Sequence, residues 1–321
     1  MRRRLMLRVA AAGGLAASTA MLPARAADYP SKALRIVVPW AAGTGTDLNA
    51  RAIAQQITAD SRQVVVVDNK AGVGGSIGTA EVARLPADGY TVLATSNAHV
   101  ANLFLIKNLP YDPLQDFVPV GSTRRLPSLL VARPSLGVST IAQLTELARR
   151  EPGKISFGAG TSAGRMGMEL YQQMAGVKLL HVPYKSATAA LNDVLGGHCD
   201  VMFVDIFNSL TQIRAGTLVP LAASGRTRLK VLPELPTVAE SGLPGYEMTS
   251  WSGLWLRKGA PEAAVAYLNR MARKAAEAER ESVEATGGEV FVDTPEAFAR
   301  FVDAEVALWR RTAAAAKIVP E

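Results

Sequence analysis

The stretch Leu34-Arg-Ile-Val-Val-Pro-Trp-Ala-Ala-Gly-Thr-Gly-Thr-Asp47 passes from a β-branched run into a loop of small residues. Asp47 to Thr58 continues with apolar residues at positions 50, 53, 54 and 57, the spacing of one helix face. Further strand-like runs follow at 63–67, which is apolar on both faces, and at 90–94, with a helical stretch around 79–84 between them. This βαβαβ order predicts a parallel sheet with helices on both faces.

The same alternation recurs further along the chain. The predicted strands are 154–158, 178–182, 200–204 and 218–223, and the predicted helices are 139–150, 164–175, 186–195 and 208–215. A strand-like run at 247–256, a strand at 289–292 and helices from Pro261 and Thr294 complete the chain. The sequence therefore predicts an α/β fold with two βα sets and a C-terminal tail.

Two such sets predict two lobes with a ligand cleft between them. We expect residues 27–126 and 249–321 to form the first lobe and residues 127–248 the second. The chain would then cross between the lobes near 125–127 and near 247–250. Because ligands in open α/β sheets bind beyond the carboxyl ends of the strands, the loops after the strands should form the site.

The loop from Pro39 to Asp47 is typical of an anion site. Gly43 and Gly45 allow a close approach of the backbone, and the free N–H groups of the following helix carry a positive partial charge. Since this loop contains no Lys or Arg, it suits a carboxylate better than a polyphosphate. An ordinary turn capped by Thr46 or Asp47 is the alternative.

The stretch Phe157-Gly-Ala-Gly-Thr-Ser-Ala-Gly-Arg165 repeats this design in the second set. Arg165 could bind an anion through two parallel hydrogen bonds, or it could simply face solvent. Thr95 to His99, His181, Tyr184 and Asp205 also follow or lie in predicted strands. The predicted ligand-binding residues are Trp40, Ala42, Gly43, Thr44, Gly45, Thr46, Asp47, Ser96, Asn97, Gly160, Thr161, Ser162, Arg165, Tyr184 and Asp205.

Several kinds of site are not indicated by the sequence. Gly72 to Gly78 lacks the third glycine of a dinucleotide-binding loop, because Ile77 stands there, and no phosphate-binding Gly-x-x-x-x-Gly-Lys-Ser/Thr motif occurs. The three histidines lack metal-ligand spacing, and no Gly-x-Ser-x-Gly occurs. The lone Cys199 precedes a buried-strand pattern and is interpreted as inert. We therefore predict no catalytic residue, metal, cofactor or nucleic-acid partner.

The positive charge is concentrated at the N-terminus. The 321 residues contain 35 Lys and Arg against 28 Asp and Glu, a formal charge of +7, and five of these cations lie in residues 1–26. A basic start, an apolar run too short to span a bilayer and Ala24-Arg25-Ala26 predict a secretory signal peptide cleaved before Ala27. Export by the Sec route is favoured over the twin-arginine route that Arg2-Arg3-Arg4 would also allow. The mature chain would carry +2.

Motifs spread over nearly the whole mature chain resemble one family, the periplasmic receptors of tripartite tricarboxylate transporters, also called Bug or TctC-like receptors. The matching stretches are Tyr29–Lys32, Ile36–Asp47, Val66–Gly78, Pro86–Leu93, Leu109–Phe117, Met174–Val177, His181–Lys185, Pro236–Tyr246 and Thr249–Trp251. The resemblance implies a two-lobed periplasmic-binding-protein fold of type II that closes on a small organic carboxylate. In that family the loops corresponding to 39–47 and 158–163 bind the carboxylate, largely through backbone N–H groups, hydroxyls and waters.

The chain departs from the family pattern at two places. Many relatives carry His where Arg165 stands, and Asp-Asn where Val204-Asp205 stand. Arg165 suggests a ligand with a second negative group, such as a dicarboxylate. The resemblance further implies a monomeric receptor that delivers its ligand to membrane subunits of the transporter. The alternatives are a periplasmic hydrolase using Ser162 and His181, and a signalling adaptor that docks a sensor kinase.

Overall fold

The computed structural model describes residues 29–285 and 287–320. The predicted signal peptide lies outside the described residues. No helix in the described part of the chain combines the length and the apolar character needed to cross a membrane.

Ten strands and ten helices alternate along the described chain, with short 3₁₀ turns at Val73–Gly75 and Pro134–Leu136. The strands are β1 (Leu34–Val38), β2 (Val65–Asn69), β3 (Thr91–Ser96), β4 (Phe117–Ala132), β5 (Ser156–Ala159), β6 (Leu180–Pro183), β7 (Val201–Asp205), β8 (Val219–Ala223), β9 (Thr249–Arg257) and β10 (Glu289–Val290). The helices are α1 (Gly45–Ser61), α2 (Ser76–Arg84), α3 (Ala98–Leu105), α4 (Ile141–Arg150), α5 (Ser162–Ala175), α6 (Ala187–Leu195), α7 (Ile206–Arg214), α8 (Glu262–Ala278), α9 (Arg280–Ala285) and α10 (Pro295–Ala315).

The strands form one extended sheet in the order β2-β1-β3-β9-β4-β7-β5-β6, with β8 and β10 also pairing with β4. β1 pairs in parallel with both β2 and β3, which confirms the predicted βαβαβ unit. β5 pairs in parallel with β6 and β7 in the second set. Each parallel set is therefore joined to the long antiparallel pair β4–β9 at the centre of the sheet.

The 16-residue strand β4 was not predicted from the sequence. Pro119, Gly121 and Pro127 interrupt its apolar pattern, and the ladder to β9 is irregular at two points, between Pro119 and Gly121 and between Ser122 and Arg124. Glycine and proline at such irregularities hide a strand from pattern reading. The crossings expected near 125–127 and 247–250 fall on β4 and at the start of β9.

β4 also sets the position of one parallel set relative to the other. The carboxyl end of β3, at Ser96, pairs with Ser252 of β9, and Ser252 in turn pairs with Arg124. The carboxyl end of β7, at Asp205, pairs with Ser128. Because β7 runs antiparallel to β4, the carboxyl ends of the two sets approach each other from opposite directions across β4. They are separated along β4 by about 13 Å, at roughly 3.3 Å per residue.

Buried apolar residues cover both faces of the sheet. On the β1–β3 side, one cluster lies under α1 and α8 and another under α2, α3 and α10. On the β5–β7 side, one cluster lies under α4 and α5 and another under α6 and α7. α8 thus packs on the first set, whereas Trp309 near the end of α10 joins the cluster under α5. Strand β2 lies at the sheet edge, so Val66 is 53% exposed although its strand is apolar on both faces.

Candidate functional site

The loop between β1 and α1 is closed by hydrogen bonds from its own residues. Thr44 caps α1: its Oγ1 accepts from the Asp47 backbone N–H at 3.4 Å and donates to the Ala41 carbonyl at 2.9 Å. Residues 41–45 are exposed. The N–H groups of Gly45 and Thr46 begin α1 and so have no acceptor within the helix. The loop therefore offers backbone donors to an external anion.

Asp47 stabilises this loop from within and is not itself open to a ligand. Its buried carboxylate accepts from the Gly43 N–H at 2.8 Å, from Arg51 Nε at 3.0 Å and from Asn69 Nδ2 at 2.9 Å. Burial alone would raise the pKa of Asp47, but these three hydrogen bonds together hold that pKa below its usual value. Asn69 also donates to the Trp40 carbonyl at 3.1 Å. Asp47 thus fixes the loop conformation.

Trp40 lies half-buried beside the glycine-rich turn that follows β2. A Cβ added to Gly75 would lie 3.2 Å from its indole ring, so the glycine permits the close contact. Within the described residues, the buried Trp40 Nε1 has no hydrogen-bond partner. Gly75 and Gly78 therefore allow this turn to pack against Pro39 and Trp40 of the predicted site loop.

The loop between β5 and α5 has the same form. Thr161 caps α5 by accepting from the Gly164 N–H at 3.0 Å, which leaves the N–H groups of Ser162 and Ala163 without an acceptor in the helix. Gly160 lies directly against the peptide that joins Ser186 to Ala187, so that a Cβ at this position would overlap backbone atoms. The close packing fixes this loop against the start of α6.

Ser96 and Asn97 place polar groups at the carboxyl end of β3. Ser96 is the last residue of β3, and its Oγ accepts from the Ala98 N–H at 3.4 Å. Asn97 is 3% exposed, and in the described part of the chain its Nδ2 has no partner. A buried amide without a partner costs free energy, and a ligand oxygen would remove that cost.

His99 lies in the core, although the sequence analysis grouped it with polar residues that could contact a ligand. It belongs to α3, which the sequence did not reveal, and its ring packs on Tyr111, Phe117 and Trp255 at centroid distances of 5.7, 5.0 and 4.5 Å. Burial lowers the pKa of His99 to about 3.

Arg165 has partners within its own lobe. Its Nε lies 2.8 Å from Glu169 Oε1, one turn along α5, and its Nη1 contacts Nδ1 of His181 on β6. Burial, and secondly the charge of Arg165, lower the pKa of His181 to about 4. These contacts occupy Arg165 along the β6 edge of the sheet. They also engage the histidine that a hydrolase using Ser162 would need as its base.

Tyr184 and Asp205 likewise have intramolecular partners. Tyr184 donates its hydroxyl to Asp193 at 2.8 Å, and burial, with that carboxylate, raises its pKa. Asp205 caps α7, accepting from the Asn208 N–H at 3.0 Å and from its side-chain amide at 2.7 Å. The side chains of both residues are therefore already engaged by local contacts.

Arg124 is a residue of this region that sequence analysis missed. It lies on β4 between the two sets of strand ends, and its Nη2 donates to the carbonyl of Gly45 in the first loop. Because β4 was not recognised in the sequence, Arg124 could not be placed relative to the two loops.

The described residues form no metal centre beside these loops. Across residues 29–285 and 287–320, no three His, Cys, Asp or Glu side chains lie together as metal ligands would. Cavities of about 600 Å³ and 440 Å³ lie elsewhere, the first beside Arg273 between α1 and α8 and the second beside Glu305 between α5 and α10. Cys199 is fully buried, and burial raises the pKa of its thiol.

The mixed α/β fold, with its continuous curled sheet, is that of the periplasmic binding proteins. Residues 49–317 match the family model described as tripartite tricarboxylate transporter family receptor. The chain belongs to this family of solute receptors.

Individual relatives match this chain over most of the length of both proteins. Protein BugT of Bordetella pertussis is 33% identical over 315 residues, which cover 95% of this chain and 96% of BugT. The structure of R. palustris Rpa4515 with adipate matches with a TM-score of 0.80 and 34% identity, covering 92% of this chain and all of that one. MatC (Rpa3494) from Rhodopseudomonas palustris with bound malate matches with a TM-score of 0.76 and 27% identity, covering 89% of this chain and all of that one.

Proposed function

We propose that this receptor binds a small organic carboxylate between the loops 39–47 and 158–163 and passes it to the membrane subunits of a tripartite tricarboxylate transporter. The observation that carries this proposal is the approach of the two sets of strand ends across β4, from Arg124 to Ser128. Helix starts with free N–H groups follow the strands on both sides, which suits an anion. Adipate and malate, bound by two structural relatives, are both dicarboxylates.

The proposed contacts to the ligand come from groups that have no hydrogen-bond partner among residues 29–285 and 287–320. These are the N–H groups of Gly45, Thr46, Ser162 and Ala163 and the side-chain amide of Asn97. Trp40, Ala42, Gly43, Thr44, Ser96, Gly160 and Thr161 would form the walls around them. Asp47, Tyr184 and Asp205 act as supports, since each is already engaged by neighbours.

A thermal-shift screen of the purified mature protein tests the ligand class. We expect at least one C4–C6 carboxylate to raise the melting temperature by about 5 °C at a hundredfold excess over Kd. Amides and sugars of similar size serve as controls. A shift produced by neutral solutes and by no carboxylate would contradict the proposal. Recovery of the ligand unchanged after incubation would argue against turnover, and recovery of a cleaved ester or amide would favour the hydrolase.

We further propose that residues 1–26 direct export and are removed before Ala27. The basic, apolar and Ala-x-Ala segments of this stretch support the proposal. The intact mass of protein recovered from the periplasm tests it, because the mature chain should begin at Ala27. Sedimentation of the same sample tests the expected monomer. Pull-down from membranes, with and without ligand, separates transporter subunits from a sensor kinase as partners.

The two lobes are proposed to be 27–126 with 249–321, and 127–248. Both connections run along the β4–β9 pair, which suits a hinge that closes on ligand. Small-angle scattering with and without a binding carboxylate tests this, since closure should reduce the radius of gyration.

A further inference from the structure

Arg124 and Arg125 are neighbours on β4 that have very different surroundings. The side chain of Arg125 lies over the rings of Phe291 and Phe301, at 3.4 Å and 4.5 Å from the centroids, with Glu247 at 4.0 Å. Successive side chains of a strand point to opposite faces, so Arg124 lies on the other face, where it reaches Gly45 at the start of α1. Arg125 therefore has a carboxylate beside it, whereas Arg124 forms no ion pair with any described residue.

The surroundings of Arg124 leave its charge without compensation. Its acceptor is the Gly45 carbonyl, its Nε is buried without a partner, and no carboxylate within the described residues forms an ion pair with it. Glu279 acts on it only from a longer distance. Burial also lowers the pKa of Arg124, because the cation loses contact with water. A half-buried cation without a partner is costly unless another molecule supplies the negative charge.

The position of Arg124 fits that role. It pairs with Ser252, the residue opposite the last residue of β3, and it lies four residues before the partner of Asp205. It therefore stands between the carboxyl ends of the two parallel sets, directly beside the first loop. That loop contains no Lys or Arg of its own, so Arg124 adds a full charge to a site otherwise built from backbone dipoles.

We propose that Arg124 binds a carboxylate group of the ligand directly and makes the receptor prefer dicarboxylates over ligands with one negative charge. The guanidinium would form a charge-assisted hydrogen bond to one carboxylate, while backbone N–H groups bind the other. This inference rests on the proposed function, because it requires a carboxylate in the cleft. Arg165, which the sequence suggested for the second negative group, is paired with Glu169.

The test is a thermodynamic cycle in which one arginine of the protein and one carboxylate of the ligand are removed separately and together. Calorimetric Kd values are measured for succinate, malate, glutarate and adipate and for their monoamides, with the wild type, Arg124→Gln and the matched control Arg125→Gln. The wild type should prefer a binding diacid over its monoamide by roughly ten- to a hundredfold. Arg124→Gln should reduce this ratio at least fivefold, and Arg125→Gln should leave it unchanged.

The outcomes separate this inference from the proposed function and from a structural role. If Arg124→Gln weakens diacid and monoamide equally, Arg124 only supports the first loop through Gly45, and the inference is wrong. An unchanged Kd overturns it too. If the wild type binds none of these diacids although another carboxylate raises its melting temperature, the inference is wrong and the proposed function stands; if no carboxylate binds, both fail. Arg124→Lys, which keeps the charge, should retain most of the preference and gives the same test if Arg124→Gln does not fold.

Discussion

The two loops of the candidate site share one design but are stabilised differently. The loop 39–47 is held by a buried carboxylate, Asp47, and has an arginine without an anion beside it. The loop 158–163 is held by a glycine packed against the next loop, and its arginine is paired with Glu169 and His181. The comparison teaches that a shared strand–loop–helix pattern exposes backbone N–H groups in both loops, whereas the surrounding strands decide whether the arginine beside each loop has a carboxylate partner among the described residues.

The largest difference in stability between the two loops is expected when a glycine in each is replaced by alanine. Gly160→Ala places a Cβ into the Ser186–Ala187 peptide, so we expect a loss of about 3 kcal/mol or more in the free energy of unfolding. Gly43→Ala in the other loop meets no atom within 4 Å and should cost about 1 kcal/mol, from its positive φ of 81°. Urea denaturation measures both, and a smaller loss for Gly160→Ala than for Gly43→Ala would contradict the account.

The next effect concerns the side chains that hold each loop. Asp47→Ala removes the acceptor of three hydrogen bonds and leaves buried donors unpaired, which should cost about 3 kcal/mol. Thr161→Ala removes one helix cap and should cost about 1 kcal/mol. Since the folded pKa of Asp47 is lowered, its contribution is present above the unfolded pKa and is lost as the pH falls through the folded one. Equal losses in the two variants at pH 7 would be inconsistent with this difference.

Acid should destabilise the protein through two histidines, one in each parallel set. The pKa values of about 3 for His99 and about 4 for His181 lie below the ordinary value, so the unfolded chain binds protons that the folded chain does not. Above about pH 6.5 neither state is protonated at these histidines, and as the pH falls from 6.5 to 4 each of them destabilises the folded state by about 3 kcal/mol. Denaturation from pH 7 to pH 4 measures this loss. His99→Phe should reduce it, and an unchanged pH dependence would show that His99 is not responsible.

The smallest effect is expected at Arg165. Arg165→Gln removes the positive charge beside His181, so the pKa of His181 should rise, as NMR titration of its ring protons would show. Dicarboxylate affinity should change less than in Arg124→Gln. A tenfold or greater loss of affinity would instead place Arg165 in the ligand site, as the sequence first suggested.

Much of this fold could be predicted because its strands carry uninterrupted apolar runs. β1, β3, β5 and β7 and the helices that follow β1 and β5 were found within a few residues. β4 was missed because prolines, a glycine and the Arg124-Arg125 pair break its pattern, although pairing on both sides holds it in the sheet. α3 was missed because Thr95 to His99 looks like a polar loop, and only tertiary packing shows that His99 is buried.

The candidate site could be predicted to a similar degree. The two loops follow from the local sequence, because glycines and hydroxyl caps before a helix have a local physical meaning. The partners of Asp47, Arg165, Tyr184 and Asp205 depend on contacts that only the folded chain brings together. Sequence analysis therefore identified the two loops of the candidate site but could not show which of their residues are engaged by neighbours in the fold.

The central claim is that backbone N–H groups from both loops bind one ligand. Gly45→Pro and Ser162→Pro each delete one such group at the first position of a helix, where proline is tolerated, and Glu262→Pro does the same at the start of α8, away from the site. With a carboxylate identified by thermal shift, calorimetry should show roughly ten- to hundredfold weaker binding for the two loop variants and wild-type affinity for Glu262→Pro. Wild-type affinity in both loop variants would contradict the claim.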